Sequence, residues 1–528
     1  MSRDKVTIYD TTLRDGAQRE GISWSLEDKK RIVRRLDALG VDLIEAGWPG
    51  SNPKDAALFA KSAELELKHA QLSAFGATRR AGLAAQDDPQ VLALVDAHTP
   101  ACTIFGKSSV LHVREVLRCS LDENLAMIAD TIAFLRAQGR RVVYDAEHFF
   151  DGHALDARYA IETIRAAAGA GAETIVLCDT NGGTMPWQIE AVIAEVRAAV
   201  GVTIGIHAHD DAGCGVANSL AAIRAGARHV QGTINGYGER CGNANLCAVI
   251  PGIELKLGLR ALPEGRLPEL PEVARLVAEL ANLAPDDHMP YVGRSAFAHK
   301  GGVHVAAIRR NADSYQHVDP ARVGNECRVV VSELSGRANL LARADELGLE
   351  LDARANDALA AIKEREARGA AFEAADASVA LLLRRHAPGY APPFQLVEYR
   401  VLSHGDHAGR AAAEATVKLR VGDRVIHTAA EGEGPVHALD AALRKALVPA
   451  FPGVARIALA DYKVRILDGN AGTRAVTRVL IDFTDGEHGW STVGASASIL
   501  EATWAALADG IEFGIGTEAQ TQLTEAHA

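Results

Sequence analysis

The first half of the chain repeats one pattern, in which a short apolar run is followed by polar or glycine residues and then by a longer amphipathic stretch. Continuous apolar runs that alternate with helical segments are typical of parallel strands covered by helices on the outside. Eight such units within roughly 250 residues predict an α/β fold with a (β/α)8 TIM barrel. The runs are Val6–Tyr9, Leu43–Ala46, Leu72–Phe75, Ala101–Phe105, Arg141–Tyr144, Thr174–Leu177, Thr203–Ile206 and Val230–Ile234.

The remainder of the chain changes pattern twice. Residues 266–388 are rich in predicted helix, and the stretch APGYAPP at 387–393 has the composition of a linker. Beyond it, three strand-like runs and a helix occur twice, which predicts a small α+β domain of doubled βββα form. We therefore expect a catalytic barrel at 1–265, a helical linker region at 266–388 and a regulatory or dimerisation domain at 389–528. The two predicted C-terminal helices are Val436–Leu447 and Ser496–Phe513.

Composition narrows the choice of partners. With 56 Lys and Arg against 68 Asp and Glu, the 528-residue chain carries a formal net charge of −12, which argues against nucleic acid or an anionic membrane as main partner. The seven cysteines are scattered without a CxxC pair, so neither a disulfide framework nor a structural zinc site is expected. The N-terminus lacks the apolar core of a signal peptide and no apolar run approaches about 18 residues, so we expect a cytoplasmic protein without a membrane span.

The first candidate for chemistry follows the first predicted strand, where residues 10–16 read DTTLRDG. Barrel enzymes carry their chemistry at the C-terminal ends of the strands. Asp15 offers a carboxylate to a hard cation, and the planar guanidinium of Arg14 suits an oxyanion. A surface salt bridge is the competing interpretation of this pair.

Two further motifs follow the seventh and eighth strands. His207 and His209 are two residues apart, so in a strand both imidazoles point to one side and can share a divalent ion; histidines of a polar core are the alternative. Asn243 lies in the glycine-rich stretch 236–245 and offers a carbonyl oxygen, although a glycine-rich turn with an N-cap asparagine is credible. Together with Asp15 they form an oxygen–nitrogen set without thiolate, which favours Mn²⁺, Mg²⁺ or a catalytic Zn²⁺.

The ends of the fifth and sixth strands add two further candidate site residues. Thr180, in CDTNGG, could donate its hydroxyl to a substrate carboxylate, or it could belong to an ordinary turn. Glu147, in YDAEH, could orient the site or tune a proton, and a plain ion pair with an arginine is the alternative. Cys178 and Cys241 are interpreted as wall residues, because the sequence shows no base beside either of them.

Taken in order, these motifs resemble the DRE-TIM metallolyase superfamily, in its Claisen-condensing branch of isopropylmalate, homocitrate and citramalate synthases. The resemblance rests on DTTLRDG, HAHDD and GERCGNAN, on FAHKGGVH and LSGR, and on EGEGPVHALDAAL and WSTVGASASILEATWAAL. It covers nearly the whole chain, and the C-terminal part is similar to the dimerised regulatory domain of isopropylmalate synthases. The stretches SAFGATRR, FGKSSVLHV and YDAEHFFDG are most similar to the citramalate synthase branch.

The resemblance implies a metal-dependent condensation of acetyl-CoA with an oxo acid, followed by thioester hydrolysis. In that reading Arg14 stabilises the keto oxygen and is catalytic together with Glu147, while Thr180 holds the oxo-acid carboxylate and Tyr144 is a further substrate-binding residue. The implied ligands of a divalent ion, with Co²⁺ as an additional candidate, are Asp15, His207, His209 and Asn243.

The resemblance also implies that a second copy completes the site. His304, in FAHKGGVH, matches a histidine that the partner chain supplies in family members, and His299 is the nearby rival. Either one could instead be a helix-packing histidine. Some isopropylmalate synthases carry a tyrosine just before LSGR, but this chain reads VGNECRVVVSE there, so that role cannot be transferred.

The choice of substrate also follows from the resemblance. The citramalate synthase branch uses pyruvate and feeds isoleucine synthesis, so we expect pyruvate and acetyl-CoA as substrates. We also expect a homodimer and an amino-acid effector, isoleucine before leucine. Pocket chemistry alone would not select pyruvate, since one methylene is worth only about 1–3 kcal/mol. The alternatives are a 2-isopropylmalate synthase that uses 2-oxoisovalerate and, in another class, a non-catalytic effector-binding dimeric protein.

Overall fold

The computed structural model describes residues 4–332, 335–351, 354–405 and 411–525. It contains two compact units, the first comprising Met1–Phe297 with Val318–Glu326 and the second Ala298–His317 with Cys327–Ala528. This division follows internal contacts and does not test the domain boundaries expected at 265 and 388, which stay a prediction. Among the described residues, no helix has both the length and the apolarity needed to cross a membrane.

The barrel predicted from the apolar runs is confirmed. Eight parallel strands pair in sequence order, and β8 pairs back onto β1 to close the sheet. The last strand ends at Gly232, before the predicted Ile234, because Thr233 forms its backbone hydrogen bonds with Ala244 and Leu246 instead of with a barrel strand. The strands are β1 Thr7–Asp10, β2 Leu43–Gly47, β3 Gln71–Ala77, β4 Ala101–Lys107, β5 Arg141–Glu147, β6 Thr174–Asp179, β7 Thr203–Ala208 and β8 His229–Gly232.

Helices surround the barrel, and capping residues determine where they begin and end. At the start of α1, Ser25 and Asp28 form a reciprocal capping box, and Gly40 ends the helix at a φ of 92°. The apolar faces of these helices pack on the outer side of the strands in one core. The helices are α1 Leu26–Leu39, α2 Pro53–Ala60, α3 Pro89–Asp96, α4 Val110–His112, α5 Leu121–Ala137, α6 Phe149–Gly169, α7 Pro186–Ala199, α8 Gly215–Arg224, α9 Leu246–Pro251 and α10 Leu270–Leu280.

The inside of the barrel is polar where the strands approach their C-terminal ends. The hydroxyl of Tyr9 on β1 donates to Glu45 on β2 at 2.6 Å and lies 2.6 Å from the hydroxyl of Thr103 on β4. Ser73 on β3 continues the chain at 2.9 Å from Thr103. Buried polar groups are costly unless they are paired, so this network fixes the side chains that support the barrel mouth.

The second unit contains the doubled βββα arrangement predicted from sequence. Two antiparallel three-stranded sheets, β11-β12-β13 and β14-β15-β16, are each followed by a helix. The final helix begins at Ile499 rather than at the predicted Ser496, because Ser496 still pairs in β16 and Ser498 caps the helix. The strands are β9 Ala298–His299, β10 Arg328–Val329, β11 Gln395–Gly405, β12 Ala411–Val421, β13 Arg424–Gly432, β14 Ala458–Ile466, β15 Thr477–Thr484 and β16 Gly489–Ser496.

The predicted helical region supplies four helices to this unit. The last of them packs against the C-terminal helix, where buried Asp509 accepts hydrogen bonds from Ser378 at 2.9 Å and from Arg385 at 2.8 Å. The APGYAPP stretch then connects the helix ending at His386 to the strand beginning at Gln395, as its composition predicts. The helices are α11 Gly302–Arg310, α12 Arg337–Glu346, α13 Ala355–Ala367, α14 Asp376–His386, α15 Pro435–Leu447 and α16 Ile499–Glu525.

Candidate active site

Four side chains that sequence analysis assigned to a metal meet at the C-terminal mouth of the barrel. Asp15 Oδ2 lies 3.2 Å from His207 Nε2 and 3.9 Å from His209 Nε2. The two Nε2 atoms are 3.2 Å apart, and Asn243 Nδ2 lies 3.1 Å from both Asp15 Oδ2 and His207 Nε2. All four residues are buried. Residues from three separate strand ends thus present donor atoms to one point.

A hydrogen-bond chain behind His207 fixes which nitrogen faces this point. The carboxylate of Asp145 accepts from Gln231 Nε2 at 2.8 Å, so the amide oxygen of Gln231 faces His207 Nδ1 at 2.7 Å. An amide oxygen can only accept, so His207 carries a proton on Nδ1 and its Nε2 faces the Asp15 cluster. Such an outer partner is what a metal-binding histidine requires.

Asn243 supplies the strongest internal sign that the cluster fits a cation. Its Oδ1 is buried and has no hydrogen-bond partner among the described residues, whereas its amide nitrogen faces Asp15 and His207. Oxygen and nitrogen of an amide are exchanged by a half-turn, which would direct the oxygen at the cluster. Gly238 permits this close packing, since a Cβ there would lie 1.8 Å from Asn243 Oδ1. The donor set therefore fits a divalent ion with oxygen and imidazole ligands.

Electrostatics favours the protonation states that a cation needs at Asp15 and His209, whereas at His207 the Asp15 carboxylate outweighs burial and raises the pKa, so a cation would displace a proton there. Burial would raise the pKa of Asp15, but Arg14 and His207 outweigh it and hold that pKa well below its usual value. Burial and the neighbouring His207 lower the pKa of His209 to about 4. At neutral pH the site therefore offers an ionised carboxylate and a neutral imidazole at these two positions, as metal binding requires.

Arg14 is held rigidly beside this cluster and is not the exposed ion pair considered as the alternative. Its Nε donates to Glu45 Oε1 at 2.5 Å and its Nη1 lies 3.4 Å from Asp15 Oδ2. The guanidinium carbon lies 3.8 Å from the centre of the Phe75 ring. Only 13% of the Arg14 side chain is exposed, so the cation has one fixed orientation toward the mouth. Sequence analysis missed Glu45, which lies on the neighbouring strand and carries no motif of its own.

A cavity of about 200 Å³, which we call the reaction cavity, opens over this cluster. One side is an aromatic wall made by Trp48, Phe75 and Phe105, with ring centroids 5.5–5.7 Å apart. Sequence analysis did not identify this wall, because its members come from three different strand ends. Its remaining lining includes Arg14, Asp15, Asp145, Glu147, Cys178, Thr180, His207, His209 and Arg240.

The structure brings Thr180 and Glu147 to the same cavity. The hydroxyl oxygen of Thr180 accepts a hydrogen bond from the backbone N–H of His148 at 2.8 Å, which leaves the hydroxyl proton available to a ligand. Glu147 forms an ion pair with Lys107, so the alternative of an ion pair is realised with lysine rather than arginine. Burial raises the pKa of the Cys178 thiol, which suits a neutral wall residue.

Two further predicted residues have other surroundings. Tyr144 is buried on the outer side of β5, with its hydroxyl beside Gly106, and it does not line the reaction cavity. Side chains alternate along a strand, so the inward positions belong to Asp145 and Glu147 instead. His304 belongs to the second unit, where it stacks on Tyr315 with ring centroids 4.3 Å apart, and its predicted role across a dimer stays a prediction.

Comparison with known families is consistent with this geometry. The HMGL-like family profile matches residues 5–277, the homocitrate synthase post-HMGL domain-like profile matches residues 291–370, and the LeuA allosteric (dimerisation) domain profile matches residues 373–515. The fold and these matches define an acetyl-CoA-utilising condensing enzyme of the DRE-TIM superfamily.

Full-length relatives narrow this class. An (R)-citramalate synthase of Synechocystis is 52% identical, with 96% of each chain covered, and one of Streptomyces coelicolor is 51% identical, with 97% of each covered. A 2-isopropylmalate synthase of Methanocaldococcus jannaschii is only 31% identical, over 96% of this chain and 94% of its own. The chain belongs to the (R)-citramalate synthase family.

Proposed function

We propose that the chain condenses acetyl-CoA with pyruvate and hydrolyses the resulting thioester, which yields (R)-citramalate and free CoA. The observation that carries this proposal is the reaction cavity, in which the Asp15, His207, His209 and Asn243 cluster lies beside a fixed guanidinium and a small aromatic wall. Relatives named (R)-citramalate synthase support the same reaction.

Arg14 and Thr180 would bind the two ends of pyruvate. The guanidinium of Arg14 is oriented by Glu45 toward the mouth, where it donates to the keto oxygen and stabilises the alkoxide that forms on it. Thr180 has a hydroxyl proton to give to the carboxylate, because its oxygen is already engaged by His148. A divalent ion bound by the four clustered residues, Mn²⁺ or Mg²⁺ before Zn²⁺ or Co²⁺, would supply Lewis-acid polarisation of the oxo acid.

The aromatic wall supports pyruvate over larger oxo acids. Trp48, Phe75 and Phe105 contact one another and Arg14 covers Phe75 at 3.8 Å, so the wall cannot retreat without breaking several contacts. Pyruvate carries a methyl group where 2-oxoisovalerate carries an isopropyl group. Each extra carbon against a packed wall costs on the order of 1–3 kcal/mol of discrimination.

Proton transfer falls to groups at the edge of the cavity. A base must remove a methyl proton from the acetyl group, the resulting enolate carbon bonds to the keto carbon, and the keto oxygen gains a proton. Water then replaces CoA at the thioester carbonyl. We assign proton handling to Glu147, which lines the cavity beside Lys107, together with His304 of a second copy.

The second copy is supported by an uncovered apolar face. In β14, the side chains of Leu459, Val464 and Ile466 are 37%, 44% and 60% exposed. Their cross-strand partners in β15, in contrast, are buried or face the helix. Helix α16 packs mainly on β15 and β16, and it reaches β14 at Tyr462, whose hydroxyl lies 2.6 Å from that of Thr503. Exposed apolar edge strands are association surfaces, so we assign this unit to homodimer formation. We also assign to it the binding of an amino-acid effector, isoleucine. The enzyme would then act in a cytoplasmic pathway of isoleucine synthesis.

The test of the proposed function is a thiol-release assay with acetyl-CoA and a panel of 2-oxo acids, run with and without isoleucine or leucine. We expect pyruvate to give the highest kcat/KM, 2-oxobutyrate a lower one and 2-oxoisovalerate the lowest, with inhibition by isoleucine. A clear preference for 2-oxoisovalerate would overturn the assignment in favour of an isopropylmalate synthase. Absence of thiol release with every oxo acid would leave only the non-catalytic alternative.

A further inference from the structure

One side chain, that of Arg240 in the loop after β8, joins three loops at the barrel mouth. Its Nε and Nη2 donate to the two carboxylate oxygens of Asp211, in the loop after β7, at 2.8 and 2.9 Å. Nη2 also donates to the backbone carbonyl of Thr180, in the loop after β6, at 2.8 Å. The guanidinium lines the reaction cavity, yet the reaction as proposed leaves it without a role.

The protons of Arg240 that face these loops are already engaged by protein groups. Nε carries a single proton and Nη2 carries a pair, and the acceptors are the two oxygens of Asp211 and the carbonyl of Thr180. His209 Nδ1 lies farther from Nη2, at 3.4 Å, and Nη1 lies 3.6 Å from a carboxylate oxygen of Glu239. Arg240 is therefore bound to other loops rather than directed at a ligand, as expected of a residue that positions others.

Thr180 is held on two sides, and Arg240 provides one of the two anchors. Its hydroxyl oxygen accepts the backbone N–H of His148 at 2.8 Å, and its carbonyl accepts Arg240. The next residue, Asn181, donates to Asp151 on α6 at 2.7 Å. The contacts with His148 and Asp151 tie the loop to the start of α6, whereas Arg240 ties it to the loop after β8. Because the hydroxyl belongs to the residue whose carbonyl is held, its direction depends on both anchors.

The backbone at Arg240 is in an unfavourable conformation. Its φ is 57°, in the left-handed region that residues other than glycine seldom adopt. Its side chain is 40% exposed, and ion pairs at this degree of exposure add little to stability. Unfavourable backbone conformations persist mainly where the surrounding geometry serves a function. The ion pair with Asp211 therefore has a better explanation in the placement of Thr180 than in the stability of the barrel.

We propose that Arg240 is a positioning residue for the oxo-acid carboxylate, because it holds the peptide of Thr180 so that the hydroxyl proton points into the reaction cavity. The inference rests on the proposed function, which gives Thr180 the contact with that carboxylate. Asp211 completes the arrangement by fixing the plane of the guanidinium. A lysine cannot replace Arg240, since an ammonium is a point charge without the planar fork that spans both Asp211 oxygens and the Thr180 carbonyl.

The test is a double-mutant cycle on the full-length chain with Mn²⁺ present, in which Arg240→Gln, Thr180→Val and the double variant are compared by thiol release. The loss of a hydrogen bond to a carboxylate costs about tenfold in affinity, so KM for pyruvate should rise about tenfold in Thr180→Val and roughly 3- to 10-fold in Arg240→Gln. The contact is one of binding, so kcat and KM for acetyl-CoA should stay within about twofold of wild type. In the Thr180→Val background, Arg240→Gln should raise KM for pyruvate no further, since the hydroxyl that it positions is gone.

Arg141→Gln is the matched control. Arg141 forms the same two-bond ion pair, with Glu173, and its side chain is 42% exposed, but it lies at the start of β5, at the opposite end of the barrel. This variant should leave every kinetic constant unchanged. Arg240→Lys should behave like Arg240→Gln, and Asp211→Asn should raise KM for pyruvate in the same direction.

Two results would overturn the inference. One is an equal rise in KM for pyruvate when Arg240→Gln is introduced with and without the Thr180 hydroxyl, which would indicate a general structural role. The other is a loss of bound Mn²⁺ in Arg240→Gln, which would indicate that Arg240 acts through His209 instead. If 2-oxoisovalerate proves to be the better substrate, the proposed function fails, and the same cycle measured in its KM decides the role of Arg240, because every 2-oxo acid carries the same carboxylate.

Discussion

The barrel and the doubled βββα unit differ in whether their sheets have free edge strands. The eight barrel strands close on themselves, so no edge remains, and the polar groups inside are paired by Tyr9, Glu45, Asp145 and Gln231. The two sheets of the C-terminal unit are open, and β14 leaves apolar side chains such as Ile466 exposed. The barrel can therefore position a site within one chain, whereas the C-terminal unit leaves an exposed apolar edge of the kind that we propose a second copy covers.

The largest expected effect is at the barrel cluster. His209→Ala removes one donor from a buried site whose other members are Asp15, His207 and Asn243, so metal content should fall and condensation should drop by more than about 10³-fold. Metal content is measured by elemental analysis after dialysis, and the rate by thiol release. His153→Ala, on helix α6, serves as the control. Unchanged metal content and rate in His209→Ala would show that the cluster is a polar core rather than a metal site.

A smaller loss of metal affinity is expected when the hydrogen-bond partner of a proposed metal ligand is removed. Gln231→Leu keeps the size of the side chain but removes the acceptor that holds the Nδ1 proton of His207. Outer partners of metal-binding histidines are typically worth 10–100-fold in metal affinity, so we expect a loss within that range in a metal titration. Gln90→Leu on α3 is the control. An unaltered affinity would mean that His207 is oriented by packing alone.

Acid should remove the stabilising contribution of a buried histidine of the barrel. Burial lowers the pKa of His229 in β8 to about 3, whereas an unfolded histidine titrates near about 6.5. Between these values the unfolded chain binds the extra proton, so the contribution of His229 to the stability of the barrel falls with the pH, by about 2 kcal/mol at pH 5.

The measurement is denaturant unfolding at pH 7 and pH 5. His229→Phe keeps a ring against Tyr9 but cannot titrate, so the difference in unfolding free energy between the two pH values should shrink by about 2 kcal/mol. An equal pH response in wild type and variant would contradict the assignment.

The smallest effect is expected on the open sheet. Ile466→Asp places a carboxylate on the uncovered face of β14, and we expect the dimer dissociation constant to rise about tenfold, since a buried aliphatic side chain is worth roughly 1.5–3 kcal/mol. Analytical ultracentrifugation reports the change. Arg465→Asp, the adjacent residue that points to the other face, is the control. Equal dimerisation of both variants would place the interface elsewhere.

Much of the site was accessible to sequence analysis because it lies at strand ends. Asp15, His207, His209 and Asn243 each follow an apolar run, and a closed parallel barrel brings all those ends to one mouth. The same logic does not fix the orientation of Tyr144, which lies on the outer side of β5, because a shift of one residue along a strand reverses the side of the sheet. An apolar run indicates that a strand exists but does not determine which of its residues face the interior.

The sequence by itself determined the alternation of strands and helices, the linker before the C-terminal unit and the chemical types gathered at the mouth. These properties depend on residues that are close along the chain. The tertiary structure alone decided that Glu45 holds Arg14 and that Gln231 joins His207 to Asp145, which lies 86 positions before Gln231 in the sequence. Such contacts depend on barrel closure, which no local pattern encodes, because the physical partner of each side chain lies on a different strand.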